Sequence, residues 1–142
     1  MAITQAVANS FKTEVLTGTH NFTATTGNSF KISLYTNSAT LSKSTTAYTA
    51  SNAVSGTGYT ATGNTLTSVT PVLSSDTAVC DFADTSWTSA TITARGALIY
   101  NDTQSDKAVV VLDFGGDKTS TAGTFTIQFP AADASNAILR LA

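Results

Sequence analysis

Threonine is the residue that most constrains this chain, because it fills 28 of the 142 positions and serine fills another 16. Threonine is branched at its β-carbon, so it loses little freedom in an extended strand. It also covers the wet face of a sheet without adding charge. Lys, Arg, Asp and Glu together make up only 11% of the chain. This composition predicts an all-β protein rather than a charged helical one.

The length and the hydrophobic fraction of 42% indicate one domain with a core of its own. The seven basic residues are scattered from Lys12 to Arg140, whereas nucleic-acid binding needs clustered positive charge. No apolar stretch approaches the roughly 20 residues that a membrane-spanning helix needs. The first residues show neither the basic region nor the apolar run of a secretory signal. We therefore expect neither a nucleic-acid partner nor a membrane partner.

The cysteine content fits a protein made in a reducing cytoplasm. Cys80 is the only cysteine, so no disulfide can form within the chain. Packing and hydrogen bonds must therefore hold the fold together. Cys80 shares a predicted strand face with Ala78 and Phe82, and we interpret it as a small buried hydrophobic residue.

Only the first segment has a helical period. Its apolar residues recur every four positions, at Ile3, Val7, Phe11 and Val15. This stripe predicts an amphipathic helix over residues 4–16, with Thr4 as a cap and Gly18 at the stop. Residues 1–17 are thus predicted to be a helical arm. Residues 18–142 are predicted to be the β-sandwich, within a single domain overall.

After the arm, the hydrophobic period changes to two, which is typical of half-buried strands. The segments with this pattern or a short apolar run are 30–35, 66–73, 77–82, 87–94, 97–100, 109–112, 125–129 and 137–141. Pro71 places its strand at an edge or a bulge. Residues 36–64 predict a long loop with a short strand near Tyr48, and residues 115–123 predict another loop. The pattern predicts an antiparallel β-sandwich, jelly-roll or immunoglobulin-like, of about eight strands with one N-terminal α-helix.

Reactive centres are not indicated by the sequence. His20 is the only histidine, and no G-x-S-x-G nucleophile motif accompanies it. The aspartate pairs Asp81/Asp84 and Asp113/Asp117 could bind calcium with backbone carbonyls, but neither matches a known calcium loop. We therefore predict no enzyme activity, no cofactor, and no catalytic or metal-binding residue.

Partner binding is the better prediction, and it rests on two groups of side chains. One group is the apolar stripe of the predicted helix, which could pack on its own sandwich, on a sister subunit or on another protein. The other is the tyrosines that we expect to be exposed, since tyrosine is enriched in interfaces: Tyr35, Tyr48, Tyr59 and Tyr100. Ordinary packing within the sandwich, with the hydroxyls reaching water, is the more favoured explanation of these tyrosines. Our candidate partner-binding residues are Ile3, Val7, Phe11, Val15, Tyr48 and Tyr59.

Several stretches together resemble a family of small virion proteins of tailed bacteriophages. They are residues 11–16, 18–22, 30–36, 54–59, 87–101, 111–115 and 125–130. The resemblance covers nearly the whole chain in the same order. It departs at Ala53, where members of that family often carry glutamate, so any contact made by that glutamate is in doubt here.

The resemblance implies a decoration, or cement, protein that binds the outer surface of the capsid and stabilises it. Its implied partners are the major capsid protein and copies of itself, as a trimer or dimer. It would be made in the host cytoplasm and would reside on the capsid surface of the virion. The alternative is a tail- or fibre-associated module that binds a receptor or glycan through loops such as residues 36–64. For a decoration protein, we expect deletion of residues 1–16 to leave a soluble β-domain that no longer binds shells.

Overall fold

Eight strands and one α-helix form the fold in the computed structural model, which describes residues 2–142. In chain order they are β1 (Ala6–Val7), α1 (Asn9–Leu16), β2 (Phe30–Tyr35), β3 (Asn64–Thr65), β4 (Ser68–Ser74), β5 (Thr77–Phe82), β6 (Thr85–Asn101), β7 (Lys107–Ile127) and β8 (Leu139–Leu141). One sheet has five strands in the order β1-β7-β6-β2-β3, and the other has three in the order β4-β5-β8. Neighbouring strands pair antiparallel. The predicted all-β sandwich with a helix near the N-terminus is confirmed.

The larger sheet is built around the long hairpin of β6 and β7. The sequence alternates cleanly over residues 87–94, and Ala90, Ile92 and Ala94, which share one face, are all buried. The same alternation predicts Trp87 on the opposite face, but Trp87 is buried as well. A bulge shifts the register between Trp87 and Ala90, with Ser89 at φ 48°. One extra residue in a strand reverses the alternation of its side chains, which accounts for the difference.

The loop predicted at residues 115–123 is wrong, since β7 continues through it to Ile127. Gly115 has a φ of 80° and lies where the register with β6 shifts between Ala94 and Gly96. The glycine therefore marks a bulge rather than the end of a strand. Beyond it, the Thr93 and Thr119 hydroxyls are 2.9 Å apart across the two strands. Hydroxyl pairs of this kind let a polar segment pair as a strand.

The predicted helix over residues 4–16 is correct only in its second half, because α1 begins at Asn9. The backbone N–H of Thr4 donates to the carbonyl of Leu41 at 2.9 Å, and Ala6–Val7 pair with β7. Thr4 is therefore not a cap, and no side chain caps the N-terminus of α1. These backbone groups therefore pair with β7 and with Leu41 instead of forming the first turns of a helix. Gly18 follows the helix with a φ of 78°, as the predicted stop requires.

The N-terminal segment contributes to the common core. Ile3, Ala8 and Phe11 are buried together with residues of both sheets. Met1, the first residue of the predicted arm, lies outside the described residues. No helix within residues 2–142 has the length and apolar character needed to cross a bilayer.

Aromatic rings join the two sheets. Phe22 and Phe30 stack with their centroids 4.3 Å apart, and Phe82 of the smaller sheet lies 5.9 Å from Phe30. Phe11 of α1 approaches Phe22 edge-on at 5.9 Å. Such pairs are worth about 1 kcal/mol each beyond the area they bury. The helix and both sheets are therefore held at this end by one aromatic cluster.

Candidate functional site

His20 lies in a buried polar network that ties three parts of the chain together. Its Nε2 is 3.0 Å from the carboxylate of Glu14 in α1. Its Nδ1 is 2.9 Å from the amide nitrogen of Asn101, which also donates to Asn28. Because the amide nitrogen can only donate, Nδ1 accepts and Nε2 carries the ring proton.

This network lacks the arrangement that nucleophilic catalysis requires. In a Ser-His-Asp triad, the ring nitrogen opposite the carboxylate faces a hydroxyl, but here it faces the amide of Asn101. The ring is buried, and it packs against Phe11 with centroids 4.8 Å apart. The geometry therefore fits a structural role for His20, which anchors α1 to the end of the hairpin.

The aspartates considered for calcium bind local partners instead. Asp81 accepts from the N–H of Phe82, and Asp84 accepts from the N–H of Phe129. Asp113 accepts from the N–H of Gly115 and from the Nε of Arg95, and these two bonds lower its pKa. Asp117 accepts from the side-chain amide of Asn37. Within residues 2–142, no group of three or more His, Cys, Asp or Glu side chains is placed to hold a metal ion.

The four tyrosines attach the long segment between β2 and β3 to the main sheet. Tyr35 and Tyr100 are fully buried, so the expectation that they are exposed is wrong. Their hydroxyls donate to the carbonyls of Thr49 and Thr62 at 2.6 and 2.8 Å.

Tyr48 and Tyr59 are half-buried and packed against the core. The Tyr48 hydroxyl donates to the carbonyl of Ala61, and the Tyr59 hydroxyl accepts from the N–H of Leu34. All four hydroxyls thus have partners within the chain. Partner binding by Tyr48 and Tyr59 stays a prediction, but their contacts already explain their positions.

The apolar stripe chosen for partner binding divides into two pairs. Ile3 and Phe11 are buried in the chain's own core, so they are not free to touch a partner. Val7 and Val15 are half-buried and line a cavity beside α1. Of the three packing partners left open for this segment, the structure shows the first, its own sandwich.

The cavity that Val7 and Val15 line has a volume of about 350 Å³ and lies between α1 and the smaller sheet. Its walls are almost wholly apolar: Phe11 and Val15 from α1, Ala78 and Cys80 from β5, and Leu139 and Leu141 from β8. Burial raises the pKa of the Cys80 thiol to about 11, so the thiol is uncharged at neutral pH and acts as a hydrophobic group. We call this feature the α1 groove.

An exposed apolar row continues the α1 groove outward. Leu73, Ala78 and Leu141 stand opposite one another across the three strands of the smaller sheet. Directly opposed residues share one face of a sheet, so all three belong to the face that lines the groove. Leu73 and Leu141 are 73% and 64% exposed, and Leu16 at the end of α1 is 81% exposed. The sandwich is therefore open at this end.

Sequence reasoning missed these leucines. Leu73 and Leu141 were placed correctly in strands, but strand alternation does not reveal which inner face lacks a cover. A signal was present in Val72 and Leu73, because adjacent strand residues face opposite sides and only one of them can face the core. Large exposed apolar groups of this kind mark interaction surfaces.

No protein-family model, curated protein or solved structure matches this chain. Its functional assignment therefore depends on the surface just described. An open groove with apolar walls can bind the hydrophobic part of another molecule.

Proposed function

We propose that this protein is a structural protein of a tailed bacteriophage, bound to the outer surface of the capsid as a decoration, or cement, protein. The observation that carries the proposal is the apolar row of Leu73, Ala78 and Leu141 beside the α1 groove. The largest apolar patch of a protein surface is often functional, and a partner that covers it would account for this one. The resemblance of the sequence to small tailed-phage virion proteins supports the same assignment.

The rest of the protein surface is compatible with a subunit that binds a capsid shell. It is rich in Thr and Ser, poor in charge, and carried by two antiparallel sheets. A rigid sandwich loses little conformational entropy on binding, so a modest contact area is enough to hold it. Where each copy contacts neighbouring capsid subunits, a weak contact becomes stable through avidity.

The proposed partners are the major capsid protein and further copies of this chain, as a trimer or dimer. The protein would be made in the host cytoplasm and would act on the virion surface. Its single cysteine supports this route, because the fold is held without a disulfide. The scattered basic residues support a protein partner rather than a nucleic acid.

The number of copies per particle tests the proposal. Purified virions of the parent phage are digested, and peptides of this protein are quantified against peptides of the major capsid protein. A decoration protein is expected in hundreds of copies, in a simple ratio to the capsid subunit. A few copies per particle would place it in the tail or fibre, and its absence would contradict a virion role.

A further inference from the structure

We propose that the outer edge of β7, at residues 124–128, binds an extended segment of a different protein chain that carries hydrophobic side chains at alternate positions. The segment would lie beside β7 as an added strand. This inference goes beyond the proposed function, because it does not depend on the particle to which the protein is attached. Three observations carry it: the open edge of β7, the groove that runs along this edge, and the side chains that line the groove.

Most of β7 has a neighbouring strand on one side only. β6 pairs with it along its length, whereas β1 pairs only with Val110 and Val111 on the other side. Just beyond β1, the N–H of Asp113 donates to the side-chain oxygen of Gln5 at 3.1 Å, so a side chain takes the place of a strand carbonyl there. Within residues 2–142, no strand pairs with the outer side of β7 beyond Val111. The rest of this edge is therefore available to another strand.

The contacts of β6 show which backbone groups of β7 point outward. Opposite residues of two antiparallel strands alternate between pairs that bond to each other and pairs that direct their backbone groups away from each other. The carbonyl of Ser86 accepts from the side-chain amide of Asn64 in β3, which lies on the side of β6 away from β7. Ser86 faces Thr126, and their hydroxyls are 2.9 Å apart, as in a pair without mutual backbone bonds. The N–H and C=O of Thr126 therefore point to the open side of β7.

A groove of about 590 Å³ runs along this edge, and every residue from Thr124 to Pro130 lines it. Successive side chains of a strand point to opposite faces of the sheet. A groove lined by consecutive residues therefore runs beside the backbone rather than over one face. Gln5, Leu112 and Ile138 line the same groove from other parts of the chain. The outward backbone groups of β7 thus face a bounded space.

The groove has an apolar side and a hydroxyl-bearing side. Phe125 and Ile127 are buried, and Ile138 packs against the same core. Thr124 and Thr126 point to the other face and are exposed. A strand added here would place every second side chain beside the apolar residues and the others beside the threonines. In this mode of recognition, backbone hydrogen bonds give affinity and alternate side chains give specificity.

The residues around the groove favour a single segment over the sheet of a second copy. A strand within a sheet brings a neighbouring strand about 4.8 Å behind it. Gln5 and Ile138 bound the space in which that second strand would lie, whereas a single extended segment needs no such space. The terminal segments of a second copy are already engaged, since Thr4 bonds to Leu41 and β8 pairs with β5. The occupant that fits is therefore an extended segment of a different chain.

The test uses the full-length protein and a fluorescein-labelled synthetic peptide in which valine alternates with threonine. Thr126→Pro removes the outward N–H, and proline is tolerated at an edge where that N–H faces solvent. Thr126→Val is the matched control, because it keeps the backbone N–H. Fluorescence anisotropy is expected to show that the wild type and Thr126→Val bind the peptide and that Thr126→Pro binds at least tenfold more weakly. Equal binding by the two variants, or no binding by the wild type up to about 1 mM peptide, would overturn the inference.

Two altered peptides make the test on the wild-type protein, so they do not depend on the folding of a variant. One carries methyl groups on its backbone nitrogens and cannot donate to the carbonyls of the edge. The other has serine in place of valine and has no large apolar side chain to bury. Each is expected to bind at least tenfold more weakly than the parent peptide. Binding of either one as tight as that of the parent would contradict the inference.

Amide hydrogen exchange, followed by nuclear magnetic resonance, locates the bound peptide. In the free protein, the N–H of Thr126 is expected to exchange quickly, whereas those of Phe125 and Ile127 face β6 and exchange more slowly. The bound peptide should slow the exchange of the Thr126 N–H at least tenfold. Unchanged exchange at Thr126 with the peptide bound would place the peptide elsewhere and overturn the inference.

Light scattering after gel filtration tests for a second copy at the same edge. If the wild type is an oligomer that Thr126→Pro dissociates and Thr126→Val does not, a second copy is the occupant and the inference fails. The proposed function is tested separately. A protein that binds the peptide as described but is absent from virions would contradict the decoration role and leave this inference intact.

Discussion

The tyrosine hydroxyls show how single residues support the most irregular part of this fold. Residues 36–63 contain no named strand or helix, yet Tyr35, Tyr48 and Tyr100 each donate to one of their carbonyls. Burying a tyrosine while its hydroxyl stays satisfied gives apolar area without the cost of an orphaned polar group. The sequence places tyrosines near this segment, but it cannot show whether the rings face inward.

The buried histidine gives a stability prediction at this scale. His20→Ala removes a ring that packs on Phe11, and it takes one hydrogen-bond partner from Asn101 and one from Glu14. We expect a loss of about 3 kcal/mol, from the cavity and the unsatisfied polar groups together. Urea denaturation followed by fluorescence measures it. Lys43→Ala, at an exposed position, is the control and should change stability by less than about 0.5 kcal/mol.

A loss below about 1 kcal/mol for His20→Ala would contradict this account, because it would mean that the network is solvated or loosely formed. A catalytic role for His20 would predict a different result, in which a reaction is lost while stability is retained.

Alkaline pH should destabilise the protein. Burial raises the pKa of Cys80 from 9.0 to about 11 and raises the pKa of Tyr35 and Tyr100 above the ordinary 10.0. The unfolded chain therefore ionises first, at its ordinary pKa values. The contribution of these neutral buried groups to the free energy of unfolding is therefore complete below about pH 9. It is lost as the pH rises towards the raised pKa values of the folded state.

The free energy of unfolding, measured in urea from pH 7 to 11, is expected to be level up to about pH 8.5 and then to fall. Cys80→Ala should remove the part of the decline that begins near pH 9 and leave the tyrosine part above pH 10. A free energy that stays constant or rises over this range would show that these groups are not buried as described.

Among the elements, the N-terminal segment departs most from the sequence prediction. A spacing of four between Ile3, Val7, Phe11 and Val15 fits a continuous helix, but it also fits an extended arm followed by a short helix. The open edge of β7 decides the matter, because Ala6 and Val7 pair with it. Hydrophobic periodicity indicates which side chains are buried. It carries no information on which partners the backbone groups will hydrogen-bond to.

This placement changes what we expect of the truncation. Deleting residues 1–16 removes β1 and the buried side chains Ile3, Ala8 and Phe11. We expect the remaining chain to lose its cooperative unfolding rather than to persist as a soluble β-domain. Circular dichroism on heating and limited proteolysis measure this. A truncated chain that melts cooperatively near the wild-type temperature would show that the arm is dispensable.

Two substitutions in α1 make the same test without a deletion. Phe11→Ala empties a buried site and should cost about 3–5 kcal/mol. Leu16→Ala, in the same helix, truncates a side chain that is 81% exposed and should leave stability within about 0.5 kcal/mol of the wild type. Similar effects of the two substitutions would mean that α1 is held by helix propensity rather than by packing.

The β6–β7 hairpin shows where sequence reading succeeds and fails for strands. The clean alternation at Ala90, Ile92 and Ala94 identifies the inner face of that part of β6, but it misplaces Trp87, which lies beyond a bulge. The glycines of β7 were misread, because a glycine at a bulge and a glycine in a loop share the same permissive backbone.

For the whole molecule, the fold class was predictable and the candidate site was not. A chain rich in threonine, with one cysteine and alternating strands, already indicates an all-β sandwich held without disulfides. The groove depends on how the smaller sheet packs against α1. Local hydrophobic periodicity cannot predict strand order or the packing of sheets, so it cannot predict the groove. Leu73 and Leu141 are distant in sequence, and only their shared pairing with Ala78 brings them into one row.

The central claim is that this molecule works by adhesion, with the open end of its sandwich against a larger lattice. A cryo-electron microscopy map of the parent virion, at a resolution that shows strands, tests it most directly. We predict density for the sandwich at repeated positions outside the capsid shell, with Leu73 and Leu141 facing the capsid protein. A shell without such density, or a fitted sandwich whose α1 groove faces solvent, would contradict the claim.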